Sequence, residues 1–295
     1  MKKLLLIYNP HAGKGRIRAR LGEVVERLAA PGYQITLHPT TGPHDATRAV
    51  LELASQFDHL VCCGGDGTLD EVVAGLIRLE RPPALGYIPT GTTNDFAKNL
   101  HLPLPLLRAA DCAVNGVPRP VDMGRFNERT FIYVAAFGAF TDVSYDTPQQ
   151  FKNMFGHLAY VLNGVSRLGS LKPYHLTVEA EGQPPLEGDF IYGMVSNTVS
   201  VGGFKGLNPR SVKLDDGLFE VMLVRMPRSL PELNTIAMSL LQQKPDGNVI
   251  GFHAARVTFH SPAPLPWTLD GEFGGDPTDA SVQNLPRAVT ILQGR

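Results

Sequence analysis

The stretch VCCGGDGTLDEVVAGL, residues 61–76, joins a short apolar run to a helical pattern through Gly64-Gly65-Asp66-Gly67-Thr68. A strand that enters a glycine-rich turn and then a helix is suited to phosphate, because the turn and the helix start present backbone N–H groups. The aspartate in the turn needs an explanation, since a carboxylate repels phosphate. Asp66 fits if it binds a Mg²⁺ ion that bridges nucleotide phosphates, or accepts a proton from a substrate hydroxyl. An Asx turn or a helix cap is the alternative.

The composition limits the class of protein. The chain has 295 residues, of which 43% are hydrophobic and 19% charged, and a formal net charge of −1. This length allows two domains with apolar cores, and the near-neutral charge argues against nucleic acid as the main partner. The three cysteines are an odd number, which favours a reducing cytoplasm without disulfides. No apolar stretch approaches the ~18 residues that a membrane span needs, so we expect a soluble protein.

The first 120 residues alternate between strand and helix patterns. Strands separated by helices of this kind predict an α/β domain with a parallel sheet, whose ligands lie at the carboxyl ends of the strands. The predicted strands are Lys3–Tyr8, Tyr33–His38, His59–Cys63 and Ala84–Ile88, and the predicted helices are Arg16–Ala30, Asp45–Ser55, Thr68–Leu79 and a short one from about Thr93.

From about Val121 short strands follow one another, which predicts a β-rich, largely antiparallel second domain. Helices are predicted only at Gln149–Leu168 and Leu230–Gln242. We therefore divide the chain into an α/β domain at 1–122, a β-rich domain at 123–285 and a terminal strand in 286–295 whose docking the pattern does not define. The predicted strands are Phe131–Phe137, His175–Ala180, Phe190–Ser196, Leu218–Arg225, Arg256–His260, Trp267–Leu269 and Ala288–Leu292.

Three further motifs contain residues that could bind a ligand or catalyse a reaction, and each can also be explained as a simple turn. NPHAGKG at 9–15 matches neither a P-loop nor a dinucleotide fingerprint, and it is either a phosphate-binding loop or a plain turn. LDGE at 269–272 places two carboxylates across one glycine, where repulsion would raise one pKa and favour a general base over a solvated turn. LDDGLF at 214–219 suits a hard cation or a simple turn.

Taken together, these motifs resemble the catalytic domain shared by bacterial diacylglycerol kinases, related bacterial lipid kinases and sphingosine kinases. Any one match could arise by chance, whereas several in the same order across residues 9–272 are specific. The matching segments are NPHAGKG at 9–15, Thr40 with HDA at 44–46, GGDGT at 64–68, PTGTTNDFA at 89–97, TPQQFKNMFGHLAYVLNG at 147–164, KLDDGLFEV at 213–221 and LDGE at 269–272.

The resemblance implies an NAD kinase/diacylglycerol kinase-like α/β domain that binds ATP. Asp66 would act near Mg²⁺ and the transferred phosphoryl group. The family usually has asparagine where Asp70 stands, so Asp70 would bind the nucleotide indirectly, through metal or water. The nucleotide-binding residues implied are Asn9, Pro10, Gly13, Thr40, Gly64, Gly65, Asp66, Gly67, Thr68, Leu69, Asp70 and Thr92.

The second domain would contribute the rest of the active site. Asp270 and Glu272 would include the general base that takes the proton from the lipid hydroxyl, and the resemblance does not decide between them. A structural Mg²⁺ would be bound by the Asp216 side chain and by the carbonyl oxygens of Lys213 and Leu218.

The function expected from the resemblance is ATP-dependent phosphorylation of a membrane lipid alcohol, with diacylglycerol as the preferred acceptor and phosphatidic acid as the product of this step in phospholipid metabolism. The alternatives are an NAD kinase-like small-molecule kinase and a nucleotide- or lipid-binding regulator without turnover. We expect transient peripheral membrane contact from the cytoplasm, and place it on the helix at Gln149–Leu168 with Phe151 and Phe155. The oligomeric state stays open, a homodimer included.

Overall fold

The computed structural model describes residues 1–138, 171–198, 200–201, 204–205 and 212–294. The chain forms two compact units, one comprising Met1–Asp122 with Arg287–Arg295 and the other Met123–Pro286. The first unit is α/β and the second is β-rich, which confirms the predicted fold class. The helix predicted at Gln149–Leu168, with its proposed membrane contact, lies outside the described residues.

The first unit alternates strands and helices. One helix, α5, was not predicted, and it begins directly after Pro105, which is a favourable residue at a helix start. The strands are Lys3–Tyr8 (β1), Gln34–Pro39 (β2), His59–Gly64 (β3) and Ala84–Pro89 (β4), and the helices are Arg16–Ala29 (α1), Asp45–Leu53 (α2), Asp66–Leu76 (α3), Asp95–Asn99 (α4) and Leu106–Asn115 (α5).

The sheet of this unit is parallel, in the order β4-β3-β1-β2. Ile291, in the C-terminal strand, pairs in parallel with Leu85 of β4 and extends the sheet by one more strand. Residues of α1 and α5 share one core with Leu4, Leu6 and Val61. The alternate residues of β1 and β3 are also buried, so the sheet is covered on both faces. This explains why these strands read as continuous apolar runs.

The second unit consists mainly of antiparallel strands. Its elements are Val117–Phe126 (β5, shared with the first unit), Arg129–Phe131 (β6), Val134–Gly138 (β7), Tyr174–Ala180 (β8), Leu186–Ser196 (β9), Ser200–Val201 (β10), Phe204–Lys205 (β11), Phe219–Arg225 (β12), Leu230–Gln242 (α6), Val249–Ala254 (β13), Arg256–His260 (β14), Trp267–Leu269 (β15), Glu272–Gly275 (β16) and Asp279–Gln293 (β17, also shared).

The long strand β9 organises this unit. It pairs antiparallel with β8, β7 and β12, and β12 pairs in turn with β13. Trp267, Phe137 and Phe259 form an aromatic centre, with Trp267 ring centroids 4.9 Å from Phe137 and 5.0 Å from Phe259. No helix of the described residues is both long and apolar enough to cross a bilayer.

Several strands differ from prediction, and four short or medium strands were not predicted: β10, β11, β13 and β16. The single strand expected at Phe131–Phe137 is two strands, because the backbone between β6 and β7 turns its N–H groups toward the Asp270 side chain. β5 was not predicted because Pro118 and Pro120 interrupt its pattern, and prolines argue against a central strand. The terminal strand is also much longer than the apolar segment Ala288–Leu292, since it begins at Asp279.

Candidate active site

Four loops leave the carboxyl edge of the first unit's sheet. In chain order they are residues 9–15, 40–44, 65 with the start of α3, and 90–94. Backbone hydrogen bonds extend the sheet into three of them. Asn9 N donates to Cys63 O at 2.9 Å, Thr40 N donates to Tyr8 O at 2.9 Å, and Thr90 N donates to Gly64 O at 2.8 Å. These bonds continue the ladders of neighbouring strands beyond the strands themselves. The loops therefore begin side by side, at the edge where parallel sheets bind ligands.

Glycines allow the loops to approach one another closely. Gly13 has φ 54°, and a Cβ at that position would lie 1.8 Å from Thr90 O. A Cβ on Gly91 would lie 2.6 Å from the Cα of Gly65. A Cβ on Gly67, by contrast, would meet no described atom within 4 Å. The turn is thus packed on one side and open on the other, which leaves room for a phosphate against the backbone.

Asp66 lies in the first turn of α3, two residues earlier than the helix start predicted at Thr68. Its Oδ2 accepts a long hydrogen bond from Asp95 N, at 3.4 Å, while its Oδ1 is buried without a hydrogen-bond partner. Burial raises the pKa of this carboxyl group, and the charge of Asp95 raises it further, although the backbone N–H groups of residues 94–96 oppose the rise. A cation bound to Oδ1 would offset both the cost of burying the charged carboxylate and its repulsion by Asp95.

Asn94 and Thr90, in the neighbouring loop, also have a buried side-chain oxygen without a hydrogen-bond partner. Asn94 is held at its other end. Its Nδ2 donates to Gly91 O at 2.9 Å, but its Oδ1 is buried without a hydrogen-bond partner. The residue also adopts a left-handed backbone conformation, with φ 51°, directly before α4. A side-chain amide in this geometry is restrained at one end only, so its oxygen can accept from a ligand. The motif PTGTTNDFA contains Asn94, but the family resemblance implies only Thr92 of this motif as a nucleotide contact.

The first and third loops are joined by side chains. Asn9 Nδ2 donates to Thr68 Oγ1 at 3.2 Å, and Asn9 Oδ1 accepts from His11 N at 2.9 Å. Thr68 itself packs against Gly64, where a Cβ would lie 2.5 Å from the Thr68 Cβ. Asn9 and Thr68 therefore position each other, and their role in shaping the turn is visible in the structure.

The second loop is restrained by a buried carboxylate that the sequence analysis did not select. Asp45 is only 4% exposed, and its Oδ2 accepts from Thr41 N at 2.8 Å and from Thr41 Oγ1 at 3.0 Å. The side chain also pairs with Arg48. The hydrogen bond from the Thr41 backbone, followed by those from its hydroxyl and from Arg48, lowers the pKa of Asp45 to about 2. Asp45 thus holds Thr41, the residue after Thr40, in place.

The remaining predicted residues of the first unit differ in what they offer. Thr92 is exposed, Pro10 and Asp70 are half-buried, and Asp70 has an interaction within the protein. The Leu69 side chain is fully buried, and its N–H donates to Gly65 O at 3.1 Å. Leu69 therefore packs in the core beneath the turn, and its part in nucleotide binding stays a prediction.

In the second unit, Asp270 is the first residue of the tight turn between β15 and β16, and Glu272 is the first residue of β16. Asp270 has φ 49° and Gly271 has φ 93°, as in a two-residue hairpin turn with both central residues at positive φ. The Asp270 carboxylate accepts backbone hydrogen bonds from Ile132, from Tyr133 at 3.0 Å and from Val134 at 2.9 Å. Glu272 is exposed. The structure therefore separates two residues that the sequence could not distinguish.

The predicted cation loop is also in the second unit. Asp216 is exposed and its Oδ1 accepts from Leu218 N at 3.1 Å; Lys213 is exposed as well. Among the described residues, no three His, Cys, Asp or Glu side chains are grouped to bind a metal ion, so a cation here would depend on backbone carbonyls and water.

Nearby Glu220 has a buried Oε2 without a hydrogen-bond partner. Burial, with a smaller effect of the Asp216 charge, raises the Glu220 pKa to about 8. Oxygen donors and excess negative charge fit a hard cation.

A glycine-lined turn at the edge of a parallel sheet is suited to nucleotide phosphates, as a phosphotransferase requires. Two family models match the chain and define the class more narrowly. They are the diacylglycerol kinase catalytic domain, over residues 3–126, and the YegS C-terminal NAD kinase beta sandwich-like domain, over residues 137–293.

Individual relatives agree with the family models. The chain is 40% identical over 278 residues to a diacylglycerol kinase of Bacillus subtilis (strain 168), covering 93% of this chain and 91% of that protein. The crystal structure of a diacylglycerol kinase from Bacillus anthracis str. Sterne superposes with a TM-score of 0.80 at 28% identity, covering 99% of this chain and 97% of that one. An NAD kinase from Archaeoglobus fulgidus, in complex with ATP, shares the fold at a TM-score of 0.51 and 10% identity, covering 99% and 94%. The chain belongs to the diacylglycerol kinase family.

Proposed function

We propose that this protein is an ATP-dependent lipid kinase that transfers the γ-phosphoryl group to the hydroxyl of diacylglycerol. The observation that carries the proposal is the open glycine turn of Gly64–Gly67 with the unpartnered, buried Oδ1 of Asp66. Phosphoryl transfer needs positioned phosphates, a cation that neutralises charge and a group that accepts the hydroxyl proton. The membership of the family supports diacylglycerol as the acceptor.

Each part of the first unit has a role in this proposal. Backbone N–H groups of the turn and of the first turn of α3 would bind the phosphates, helped by the positive end of the helix dipole. Asn9, Pro10, Gly13, Thr40 and Thr92 would contact other parts of the nucleotide. Mg²⁺, when bound, would neutralise charge on the phosphates, and Asp66 Oδ1 is the oxygen that would bind it. Asn94 Oδ1 would accept a hydrogen bond from ATP or from metal-bound water.

We assign the general base to Glu272. A base must reach the acceptor hydroxyl and must have a lone pair available for its proton. Three backbone N–H bonds hold the Asp270 carboxylate against residues 132–134, whereas the Glu272 side chain is exposed and free to approach a hydroxyl. In the reaction the lipid hydroxyl oxygen forms a bond to the γ-phosphorus, its proton passes to the Glu272 carboxylate, and the bond to the leaving ADP oxygen breaks. Asp270 would hold the turn that presents Glu272.

A matched pair of substitutions tests this division. Glu272→Gln keeps shape and removes the base, so kcat should fall by about 10²-fold or more while the unfolding midpoint stays the same. Asp270→Asn removes a charged acceptor from three N–H groups, so it should lower stability by about 1–3 kcal/mol. Urea unfolding and initial rates measure both effects. Full turnover by Glu272→Gln would overturn the assignment.

The structural cation and the cellular location are further parts of the proposal. A Mg²⁺ ion would stabilise the loop before β12. Its ligands would be the Asp216 side chain and the carbonyl oxygens of Lys213 and Leu218. A substrate in the bilayer requires transient peripheral contact, from the cytoplasm. Labelled ATP offered with diacylglycerol, with a long-chain base and with NAD identifies the acceptor; labelling of NAD alone would reject a lipid kinase.

A further inference from the structure

Helix α6 packs one apolar face into the second unit and leaves three large apolar side chains exposed on its outer side. Its buried face consists of Leu233, Ile236, Ala237 and Leu240. On the outside, Leu230 is 47% exposed, Met238 50% and Leu241 52%. At 100° per residue these three positions fall within a sector of about 80°, which also contains the exposed Asn234. We call Leu230, Met238 and Leu241 the α6 strip.

The charges around the α6 strip are arranged unevenly. Arg228 precedes the helix and Lys244 follows it, and both side chains are exposed. The neighbouring acids are half-buried and engaged in the fold: Glu232 accepts from Arg228 N at 2.7 Å, and Asp246 accepts from Asn248 N and Val249 N, each at 2.7 Å. An exposed cation therefore lies at each end of the strip, beside an acid that is half-buried and hydrogen-bonded to the backbone.

We infer that the α6 strip is the surface by which this protein docks on an anionic lipid bilayer, an inference that rests on the proposed function. Three apolar side chains on one helix face can enter the region between lipid headgroups and acyl chains, while flanking basic side chains bind lipid phosphates. The chain's formal net charge of −1 provides no general attraction to anionic lipid, so docking requires a local surface of this kind.

A second copy of the chain fits the α6 strip less well. Two helices paired antiparallel would bring the Arg228 end of one against the Lys244 end of the other, and parallel pairing would bring each cation against its equivalent. Like charges meet in both arrangements. Three side chains are also few compared with the roughly 20–30 residues that each partner contributes to a stable interface. Lipid phosphates instead complement both cations.

Vesicle binding tests the inference directly. The variant Met238→Gln/Leu241→Gln should bind vesicles of phosphatidylglycerol and phosphatidylcholine at least tenfold more weakly than the wild type in sedimentation, because both side chains lose their apolar contact with lipid. Leu104→Gln is the matched control, since Leu104 is 47% exposed in the first unit, and it should bind as the wild type does. Leu230→Gln, at the other end of the strip, provides a second variant should the double one fold poorly. Unchanged vesicle binding by folded strip variants would overturn the inference.

Kinetics separate docking from the proposed reaction. For diacylglycerol in vesicles the strip variants should show a raised apparent KM, while turnover of a short-chain, water-soluble diglyceride should equal that of the wild type. Equal loss on both acceptors would overturn docking as the role of the strip, and so would a wild-type dimer that the variants convert to monomers in light scattering. Weakened vesicle binding together with no diglyceride phosphorylation by the wild type would support docking and reject the proposed function.

Discussion

The substitution Asp45→Asn should destabilise the first unit measurably at neutral pH and very little below pH 2. Asp45 accepts from Thr41 N and Oγ1 and pairs with Arg48, and these contacts lower its pKa from the usual 3.8 to about 2. At 1.36 kcal/mol per pKa unit, that difference corresponds to about 2 kcal/mol of stability. Arg48 is 64% exposed, and solvent screening of its charge reduces the expected loss to about 1–2 kcal/mol.

The sign of the pH dependence follows from the lowered pKa. The ionised carboxylate stabilises the folded state fully above the unfolded value near 4, and the stabilisation disappears as pH falls through the folded value of about 2. The difference in free energy of unfolding between wild type and Asp45→Asn should therefore be constant from pH 7 to about 5. It should shrink to nearly zero between pH 4 and 2.

Urea unfolding of both proteins at pH 7, 5, 4 and 3 measures this difference. Asp58→Asn is a suitable control, because Asp58 is exposed and accepts only one backbone bond, from Lys3 N at 2.7 Å. We expect the control to change stability by no more than about 0.5 kcal/mol. Equal midpoints for wild type and Asp45→Asn at pH 7 would refute the account of this site, as would a difference that persists unchanged at pH 3.

Two other substitutions probe the loops. Gly13→Ala would place a Cβ 1.8 Å from Thr90 O at a residue with φ 54°, so the first and fourth loops must separate. The Kd for ATP in calorimetry should therefore rise at least tenfold. An unchanged Kd would contradict the close approach of the two loops. Asp216→Ala should lower the melting temperature in the presence of Mg²⁺ and remove its dependence on Mg²⁺, and a variant that still responds to Mg²⁺ would argue against the cation site.

The sequence predicted well what local patterns determine. Alternating strands and helices indicated the parallel sheet, which the structure confirms, and glycines after β1 and β3 predict a ligand-binding edge at the carboxyl ends of its strands. The helix at Leu230–Gln242 was predicted with its observed bounds, because Ser229 caps it and its apolar residues recur at helical spacing.

Contacts between distant segments could not be read from the sequence. The three backbone N–H groups that occupy Asp270 come from residues 132–134, so no local pattern separates Asp270 from Glu272. Asp45 similarly looks like an ordinary residue of a helix start until its burial is seen. The buried Oδ1 atoms of Asp66 and Asn94 are also visible only once two loops lie side by side.

The central claim is that the Asp66 carboxylate in the glycine turn supports phosphoryl transfer from ATP to diacylglycerol. Its most direct test is the transfer of labelled phosphate from ATP to diacylglycerol by the wild type and by Asp66→Asn, with unfolding curves recorded for both. We expect labelled phosphatidic acid from the wild type and a rate lower by about 10²-fold or more from an equally folded Asp66→Asn, as for loss of a charge-stabilising group at a reaction centre. Wild-type rates from Asp66→Asn, or no labelled lipid from the wild type, would contradict the claim.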